Sequence, residues 1–324
     1  MRFQRRQFLR TAGSALALAG ASKPAFAQSY PVRPITVVSL FPAGSPQDII
    51  LRSLADIVAA DLKQPIVTEN KPGGFGAAQN YTAIQKPDGY TLGATASASL
   101  VVLPLIRKIP YDPLNDLTII MQLATFPLGI AVKADSRFKA WPDVVAYAKA
   151  NPGIVTFGTN APDSVANMGM MRLQNMAGIS LTSVPFKGSM DAMSAVLGDQ
   201  VALFVSGAEW KPQVDAGAMR LLMMWTDKRL PAYANTPTAR ESGYPFDLDV
   251  SMDLIAPKGV EPAMVKVAHD AYKKALETES IRALIEKYDM IPNYADGPAL
   301  KARLTAMSTD LQPIVAQLGL SPKE

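Results

Sequence analysis

The sequence predicts an α/β fold made of two lobes, each with a mainly parallel sheet flanked by helices. Short apolar and β-branched strands alternate along the chain with helices of about 10–15 residues, a pattern typical of parallel sheets with crossover helices. A strand, a short loop and a helix follow one another in a similar way twice, about 120 residues apart. After the last predicted strand the chain is predicted to be helical, which indicates that it returns to complete the first lobe.

The first strand–loop–helix motif begins at residues 35–41, a continuous apolar run between two prolines. Such a run predicts a strand that is buried on both faces. The loop 42–46 leads into a predicted helix over 47–62, in which apolar residues recur at helical spacing. The N–H groups and the dipole at the start of this helix favour a carboxylate or phosphate beyond the end of the strand. The alternative is an ordinary strand-to-helix turn.

The second motif contains more side-chain donors than the first. Residues 154–158 are predicted as a strand, 159–163 as a polar loop, and Ser164 as the N-cap of a helix that reaches Met176. The other predicted strands are 66–69, 90–95, 117–126, 129–132, 182–185, 201–205, 219–225 and 248–257. The other predicted helices are 77–86, 141–150, 191–197, 237–242, 262–276, 280–287 and 298–318.

The composition limits the classes of ligand and cofactor. Residues 1–27 hold five of the 32 basic residues and no acidic residue, so the rest of the 324-residue chain is close to neutral. A neutral chain gives no support to nucleic acid or an anionic membrane as a partner. The chain has no Cys and only one His, which rules out thiolate chemistry and the usual multi-His metal sites. We therefore predict no metal and no cofactor.

Residues 1–27 have the three parts of an export signal: a basic start, an apolar stretch and small residues before a cleavage site after Ala27. The run RRQFLR at 5–10 resembles the twin-arginine pattern, and an ordinary Sec signal is the alternative. Later apolar runs are too short for a membrane span. The sequence therefore predicts a protein of the periplasm, and we expect a monomer.

Enzymatic activity is the rival interpretation. A G-x-S-x-G elbow, a GxxxxGK[ST] loop and a G-x-G-x-x-G after a strand are all absent from the sequence. Pairs of carboxylates could still meet in space, so a carboxylate-processing hydrolase stays as a lesser alternative. The prediction is that the chain is not an enzyme.

Several short motifs occur in an order that resembles the receptors of tripartite tricarboxylate transporters, the Bug-type family. They are YPVRPI at 30–35, FPAGSPQD at 41–48, ENKPG at 69–73, KPDGYTL at 86–92, PYDP at 110–113, AYAKANPG at 146–153 and VPFKG at 184–188. The resemblance covers nearly the whole chain after the signal. It implies a two-lobed periplasmic-binding-protein fold that closes on a small carboxylate, held by backbone amides and waters from one loop in each lobe.

The resemblance also implies a division of the chain and a set of partners. Residues 28–127 with 252–324 would form lobe 1, and residues 128–251 lobe 2. The ligand would be a dicarboxylate or an aromatic carboxylate, delivered to the permease subunits of a tripartite transporter in the membrane. A sensor or signalling subunit that binds the same ligand is an alternative with the same fold.

Departures from the family pattern cluster at the expected cleft. Ala43 and Ser45 stand where the family has Pro and Gly, and Asn167 stands at the usual His. Ser251 and Asp253 stand at the positions of a late Trp and Gly, and loss of the Trp would open space for an aromatic ligand. The residues predicted to bind ligand are Ala43, Gly44, Ser45, Asp48, Thr95, Ser97, Asn160, Ser164, Asn167 and Ser206. Asp48 is expected to order loop amides or a bridging water, since a carboxylate cannot itself attract an anion.

Overall fold

A computed structural model describes residues 30–71, 76–246 and 248–322 of the chain. The strands are β1 Ile35–Ser39, β2 Ile66–Asn70, β3 Thr91–Ala96, β4 Leu117–Phe126, β5 Gly129–Lys133, β6 Thr156–Thr159, β7 Thr182–Pro185, β8 Leu203–Ser206, β9 Met219–Met224, β10 Val250–Pro257 and β11 Ile291–Asp296. The helices are α1 Pro46–Leu62, α2 Ala77–Ala83, α3 Ser97–Ile106, α4 Trp141–Ala150, α5 Val165–Ala177, α6 Ser189–Leu197, α7 Lys211–Asp215, α8 Pro262–Leu276, α9 Glu279–Lys287 and α10 Gly297–Gln317. The predicted export signal and its cleavage site lie outside the described residues.

The strands form two sheets. The first sheet has the order β11-β4-β10-β3-β1-β2, and the second has the order β7-β6-β8-β5-β9. In the first sheet β1 to β4 run in one direction, and only β10 and β11 oppose them. In the second sheet β5 alone opposes its neighbours. The α/β fold with two helix-flanked sheets is confirmed, and the antiparallel pairs occur where the chain changes sheet or ends.

The chain passes between the sheets twice. It leaves the first sheet after β4, enters the second at β5, and returns from β9 to β10. Each sheet with its helices is called a unit here: the first unit contains β1–β4, β10 and β11, and the second contains β5–β9. These passages lie beside the lobe boundaries expected from the sequence, and the division into two lobes stays a prediction.

The core explains why the central strands are apolar along their whole length. In β1 every side chain except that of Thr36 is buried, as expected for a strand covered on both faces. One cluster of buried side chains joins the two units, because Leu100 of α3, Leu173 of α5 and Leu311 of α10 belong to it. The other clusters each serve a single unit. The two units therefore share apolar packing beside α5 and α10.

Helix α3 was not predicted from the sequence, although it proves central to the site. Its residues SASLVVLPLI are apolar on nearly all sides, and Leu100 to Leu103 are all buried. A helix that is buried all round lacks the amphipathic period by which helices are recognised. Pro104 inside the helix weakens the signal further.

The prediction of a helix at 237–242 is wrong, because this segment forms turns. Its backbone pairs with the end of β9: Met224 N–H donates to Pro237 O at 3.0 Å, and Ala239 N–H donates to Met224 O at 2.8 Å. Backbone groups that are bound across to a strand cannot also form a regular helical ladder.

The prediction that the chain is wholly helical after β10 is also wrong, since β11 lies between α9 and α10. This strand reads IPNYAD and pairs at the sheet edge with β4, with a register shift between Pro292 and Ala295. Proline inside a strand is tolerated at an edge or a bulge, where its missing N–H is not needed. A short edge strand of mixed polarity gives little periodic signal.

Candidate functional site

A cavity of about 410 Å³ is lined by residues from both units. Three of the helices that follow parallel strands begin at it: Gln47 of α1, Ala98 of α3, and Val165 with Ala166 of α5 line its wall. Ligands in such folds lie beyond the carboxyl ends of parallel strands. The first-turn N–H groups of a helix have no acceptor within the helix, and the helix dipole is positive there. Three positive helix ends thus converge on one cavity.

The first loop, between β1 and α1, is organised by Asp48. Its carboxylate accepts hydrogen bonds from Gly44 N–H at 2.9 Å, Arg52 Nε at 3.0 Å and Asn70 Nδ2 at 2.6 Å. Asn70 Nδ2 also donates to Phe41 O at 3.0 Å, which ties both ends of the loop to one side chain. Gly44 has a φ of +77°, a conformation that glycine adopts without strain. Asp48 therefore fixes the Gly44 amide and holds the loop against β2.

Burial and hydrogen bonding act in opposite directions on Asp48. Burial disfavours its charged form and is the largest single effect on its pKa. The bonds from Arg52, Asn70 and the Gly44 amide together outweigh burial and hold the pKa of Asp48 below its ordinary value. The negative charge of Asp48 is thus stabilised by the hydrogen-bond donors that hold the loop.

The second loop, between β6 and α5, is held by Ser164 and Asn167. Ser164 Oγ donates to Ala161 O at 2.7 Å and accepts from Asn167 N–H at 3.2 Å, which is the predicted N-cap. The Asn167 side chain donates to Pro162 O at 2.8 Å and accepts from Ser183 Oγ at 2.7 Å. Asn167 is buried and both of its amide atoms are bonded, so it supports the loop from behind the cavity wall.

Asn160 differs from these supporting residues. It lines the cavity, and its Oδ1 is buried without a hydrogen-bond partner among the described residues. No hydrogen bond of its Nδ2 occurs within them either. Ser206, at the end of β8, also lines the cavity, and within the described residues its hydroxyl donates to Ser189 Oγ at 2.9 Å and has no other partner. Asn160 Nδ2 is therefore an unused side-chain donor at the cavity wall in the described part of the chain.

Thr95 and Ser97 fix the start of α3 and do not line the cavity. Thr95 is fully buried, and its hydroxyl accepts a bond from Gln79 Nε2. Ser97 Oγ accepts from Ser251 N–H at 2.9 Å, which joins α3 to β10. Their flanking residues Ala96 and Ala98 form the wall instead. The predicted residues Thr95 and Ser97 thus lie next to the wall, and their hydroxyls bond to other parts of the first unit.

The positions expected to carry a late Trp and Gly lie inside the first unit. Ser251 is fully buried, and its hydroxyl accepts from Arg303 Nη2 at 3.0 Å, so the space is occupied by a guanidinium and does not open the cavity. Asp253 is also fully buried, with no hydrogen-bond partner for either oxygen among the described residues. Burial raises the pKa of Asp253 to about 7, and the nearby Ser251 hydroxyl and the positive charge of Arg303 offset this only in part.

The cavity has an apolar side, and its charged groups are acidic. The apolar side consists of Val102, Leu103, Ile106, Phe126, Leu128 and Val250. Asp163 and Glu209 also line the cavity, whereas no Lys, Arg or His does so within the described part of the chain. An anion here would depend on backbone N–H groups and neutral side chains.

The predicted ligand-binding residues fall into three groups in this structure. Asn160, Ser164 and Ser206 line the cavity. Asp48, Thr95, Ser97 and Asn167 are buried behind its wall. Ala43 and Gly44 are exposed and Ser45 is half-buried, on the part of the first loop that lies outside the cavity. Asp163, Glu209 and the apolar side of the cavity were not predicted. The sequence signal that could have found some of them is their place next to a predicted residue, as Asp163 lies next to Ser164.

The order of the motifs and the geometry agree with a comparison to known proteins. The family model described as "Tripartite tricarboxylate transporter family receptor", or TctC, matches residues 50–320. The chain belongs to the TctC receptor family. This family and its fold are those of solute-binding receptors and not of enzymes.

Individual TctC relatives cover nearly the whole chain. The UPF0065 protein in the gbd 5′ region of Cupriavidus necator is 37% identical, over 98% of this chain and 99% of its own. Protein BugT of Bordetella pertussis is 31% identical, over 85% of this chain and 86% of its own. A TctC solute-binding protein from Polaromonas, solved without ligand, superposes with a TM-score of 0.84 at 24% identity, covering 89% of this chain and 100% of that one. The last comparison supports the fold alone.

Two further observations bear on the class of protein. Within residues 30–71, 76–246 and 248–322, no group of three or more His, Cys, Asp or Glu side chains could hold a metal ion. None of the helices in those ranges has both the length and the apolar character needed to cross a bilayer.

Proposed function

We propose that this TctC-family protein is an exported receptor that binds a small organic carboxylate in the cavity between its two units and delivers it to the permease subunits of a tripartite transporter. The observation that supports this most directly is the meeting of three helix N-termini at a cavity whose described lining contains no basic side chain. Backbone N–H groups can share the charge of a carboxylate and need no buried cation as a partner.

The proposed contacts come from both units. From the second unit, Val165 and Ala166 would supply N–H groups and Asn160 its Nδ2 donor. Ser164 and Ser206 would complete the polar wall, since their hydroxyl hydrogens are already donated to other oxygens. From the first unit, α1 and α3 would direct their positive ends at the same anion. Asp48 and Asn167 would act as positioning residues, because their side chains are fully engaged in holding the two loops.

The remaining parts of the proposal concern export and role. We propose that residues 1–27 direct the chain to the periplasm and are removed after Ala27, and that the mature receptor works as a monomer without catalysing a reaction. The two lobes would close around the ligand as they do in hinged binding proteins. In cells, deletion of the receptor should stop uptake of the acid that it binds.

Ligand binding is tested by thermal unfolding of the mature protein with a panel of carboxylic acids and their primary amides. An acid present at about 100 times its dissociation constant should add roughly 2.7 kcal/mol to the free energy of unfolding, and the matched amide should add far less. Asn160→Ala should weaken binding by about tenfold, as expected when one hydrogen bond to a charged group is lost. Asn235→Ala, an exposed Asn outside the cavity, is the matched control. A panel in which amides stabilise as well as acids would overturn the proposal.

A further inference from the structure

The two sides of the cavity indicate which carboxylates the receptor accepts, an inference that rests on the proposed function. The polar side belongs to the second unit and contains Asn160, Ser164 and Ser206 near the start of α5. The opposite side is apolar over the length of α3, where Val102 and other side chains of the first unit face the cavity. A ligand that fills the space therefore needs one polar end and one apolar body.

The polar side also contains two acidic groups. Asp163 directly precedes the N-cap of α5 and lines the cavity, and Glu209 follows the end of β8. The Glu209 carboxylate folds over Gly207, with Oε2 3.0 Å from where a Cβ on Gly207 would stand. Since Gly207 itself lines the cavity, the acidic group lies at the wall. Neither Asp163 nor Glu209 has an ion-pair partner within the described residues.

A second carboxylate on the ligand has no favourable position in this cavity. At the apolar side it would lose its hydration without a hydrogen-bond donor, which is costly. At the polar side it would meet Asp163 and Glu209, whose negative charges repel it. One carboxylate is accommodated where the three helix N-termini converge, and away from that point the described lining is apolar or acidic.

We propose that the receptor selects monocarboxylates that carry an apolar body and discriminates against dicarboxylates and tricarboxylates. The discriminating residues are Glu209 and Asp163 on one side and the apolar side chains of α3 on the other. Each CH2 group that the apolar side removes from water should raise the affinity by about threefold to fourfold. Selectivity thus follows from the absence of a second anion site and from repulsion.

Calorimetric titration of the mature protein with matched acids tests this proposal. Hexanoate and adipate have the same chain length and differ by one carboxylate, and hexanamide removes the charge altogether. Hexanoate should bind at least about tenfold more tightly than adipate, and affinity should rise from butanoate to hexanoate to octanoate. Adipate or citrate binding more tightly than hexanoate would overturn the selectivity while leaving the receptor proposal intact. Hexanamide binding as tightly as both acids would overturn the receptor proposal itself.

A charge variant identifies the residue responsible. Glu209→Gln should raise the affinity for adipate relative to that for hexanoate by about fivefold, because one repulsive charge is removed. Glu209 is exposed, so this substitution does not disturb the core. Glu261→Gln, at an exposed position before α8, removes the same charge outside the cavity and should leave the ratio unchanged. An unchanged ratio in Glu209→Gln would remove Glu209 from the proposal's discriminating residues and contradict it.

Discussion

Asp48 and Asp253 of the first unit are both buried carboxylates, and their surroundings shift their pKa values in opposite directions. Asp48 accepts bonds from an amide N–H, a guanidinium and a side-chain amide, and its pKa is lowered. Asp253 has no hydrogen-bond partner among the described residues, and its pKa is raised to about 7. The difference shows that donors, and not burial alone, decide whether a buried carboxylate is kept charged.

The comparison also separates two structural roles. Asp48 stabilises the loop before α1 through its charge, so the loop depends on an ionised group. Asp253 lies in β10 opposite Thr95 and Gln122, whose side chains bond to other residues, so its charge stabilises no neighbouring group. The first carboxylate should therefore strengthen the fold as the pH rises, and the second should weaken it.

The largest expected effect is that of Asp253→Asn on the pH dependence of stability. The folded pKa of Asp253, about 7, lies above that of an unfolded Asp. The unfolded chain therefore releases this proton first, and the free energy of unfolding of the wild type falls as the pH rises from about 4 to about 7. The Asp253→Asn variant has no carboxyl group at this position, so its free energy of unfolding does not fall in this way. It should gain on the order of 3–4 kcal/mol over the wild type between pH 4 and pH 8.

Urea denaturation at several pH values measures this difference. Asp56→Asn, on the exposed face of α1, is the control and should show no such trend. Parallel stability curves for Asp253→Asn and the wild type between pH 4 and pH 8 would mean that Asp253 titrates normally, and the contrast with Asp48 would then be lost.

A smaller effect of opposite sign is expected for Asp48→Asn. The substitution keeps the shape but removes the charge that accepts from Gly44, Arg52 and Asn70. Hydrogen bonds to a charged group contribute about 1.5–3 kcal/mol, so the variant should lose roughly 2–3 kcal/mol at pH 7. The pKa of Asp48 in the folded protein lies below 3.8. The difference in stability between the wild type and the variant should therefore shrink only when the pH falls below that value.

The same denaturation series, extended to pH 3, measures this effect, with Asp56→Asn again as the control in the same helix. A variant as stable as the wild type at pH 7 would show that the Arg52 and Asn70 contacts are too exposed to solvent to matter. The two buried carboxylates would then differ in pKa but not in their contribution to the fold.

These two residues also show how far the sequence could lead. Elements with a clear period or a clear cap were predicted, and the bounds of α4 and β7 agree with the prediction. The loop role of Asp48 was predicted as well, since a first-turn carboxylate acts on local N–H groups. Interactions of this kind can be predicted because the residues that make them are close together in the sequence.

What the sequence could not supply is the direction in which side chains point. Thr95 and Asn167 were expected to face the ligand, yet they bond to Gln79 and Ser183, far from them along the chain. The cavity side formed by α3 was missed because an apolar helix without a period resembles any buried segment. These features depend on contacts between segments that are separated along the chain. A single sequence does not show which segments meet.

The smallest effects come from comparing the two serine N-caps. Ser45 Oγ accepts from Asp48 N–H at 3.3 Å, and Ser164 Oγ accepts from Asn167 N–H at 3.2 Å. Replacement of either Ser by Ala should therefore cost about 1 kcal/mol of stability, as is usual for a lost N-cap. Only Ser164 lines the cavity, so Ser164→Ala alone should also weaken carboxylate binding, by about threefold to tenfold, because the cap that holds the first turn of α5 at the cavity is lost.

Unfolding and calorimetric titration of the same two variants separate the structural role from the binding role. Equal losses of stability with unequal losses of affinity would support a cavity whose polar side belongs to the second unit. Equal losses of affinity would mean that the first loop, exposed in this structure, also contacts the bound ligand, and the two motifs would then act as equivalent clamps. The ratio of the two affinities therefore decides between a one-sided and a two-sided anion site.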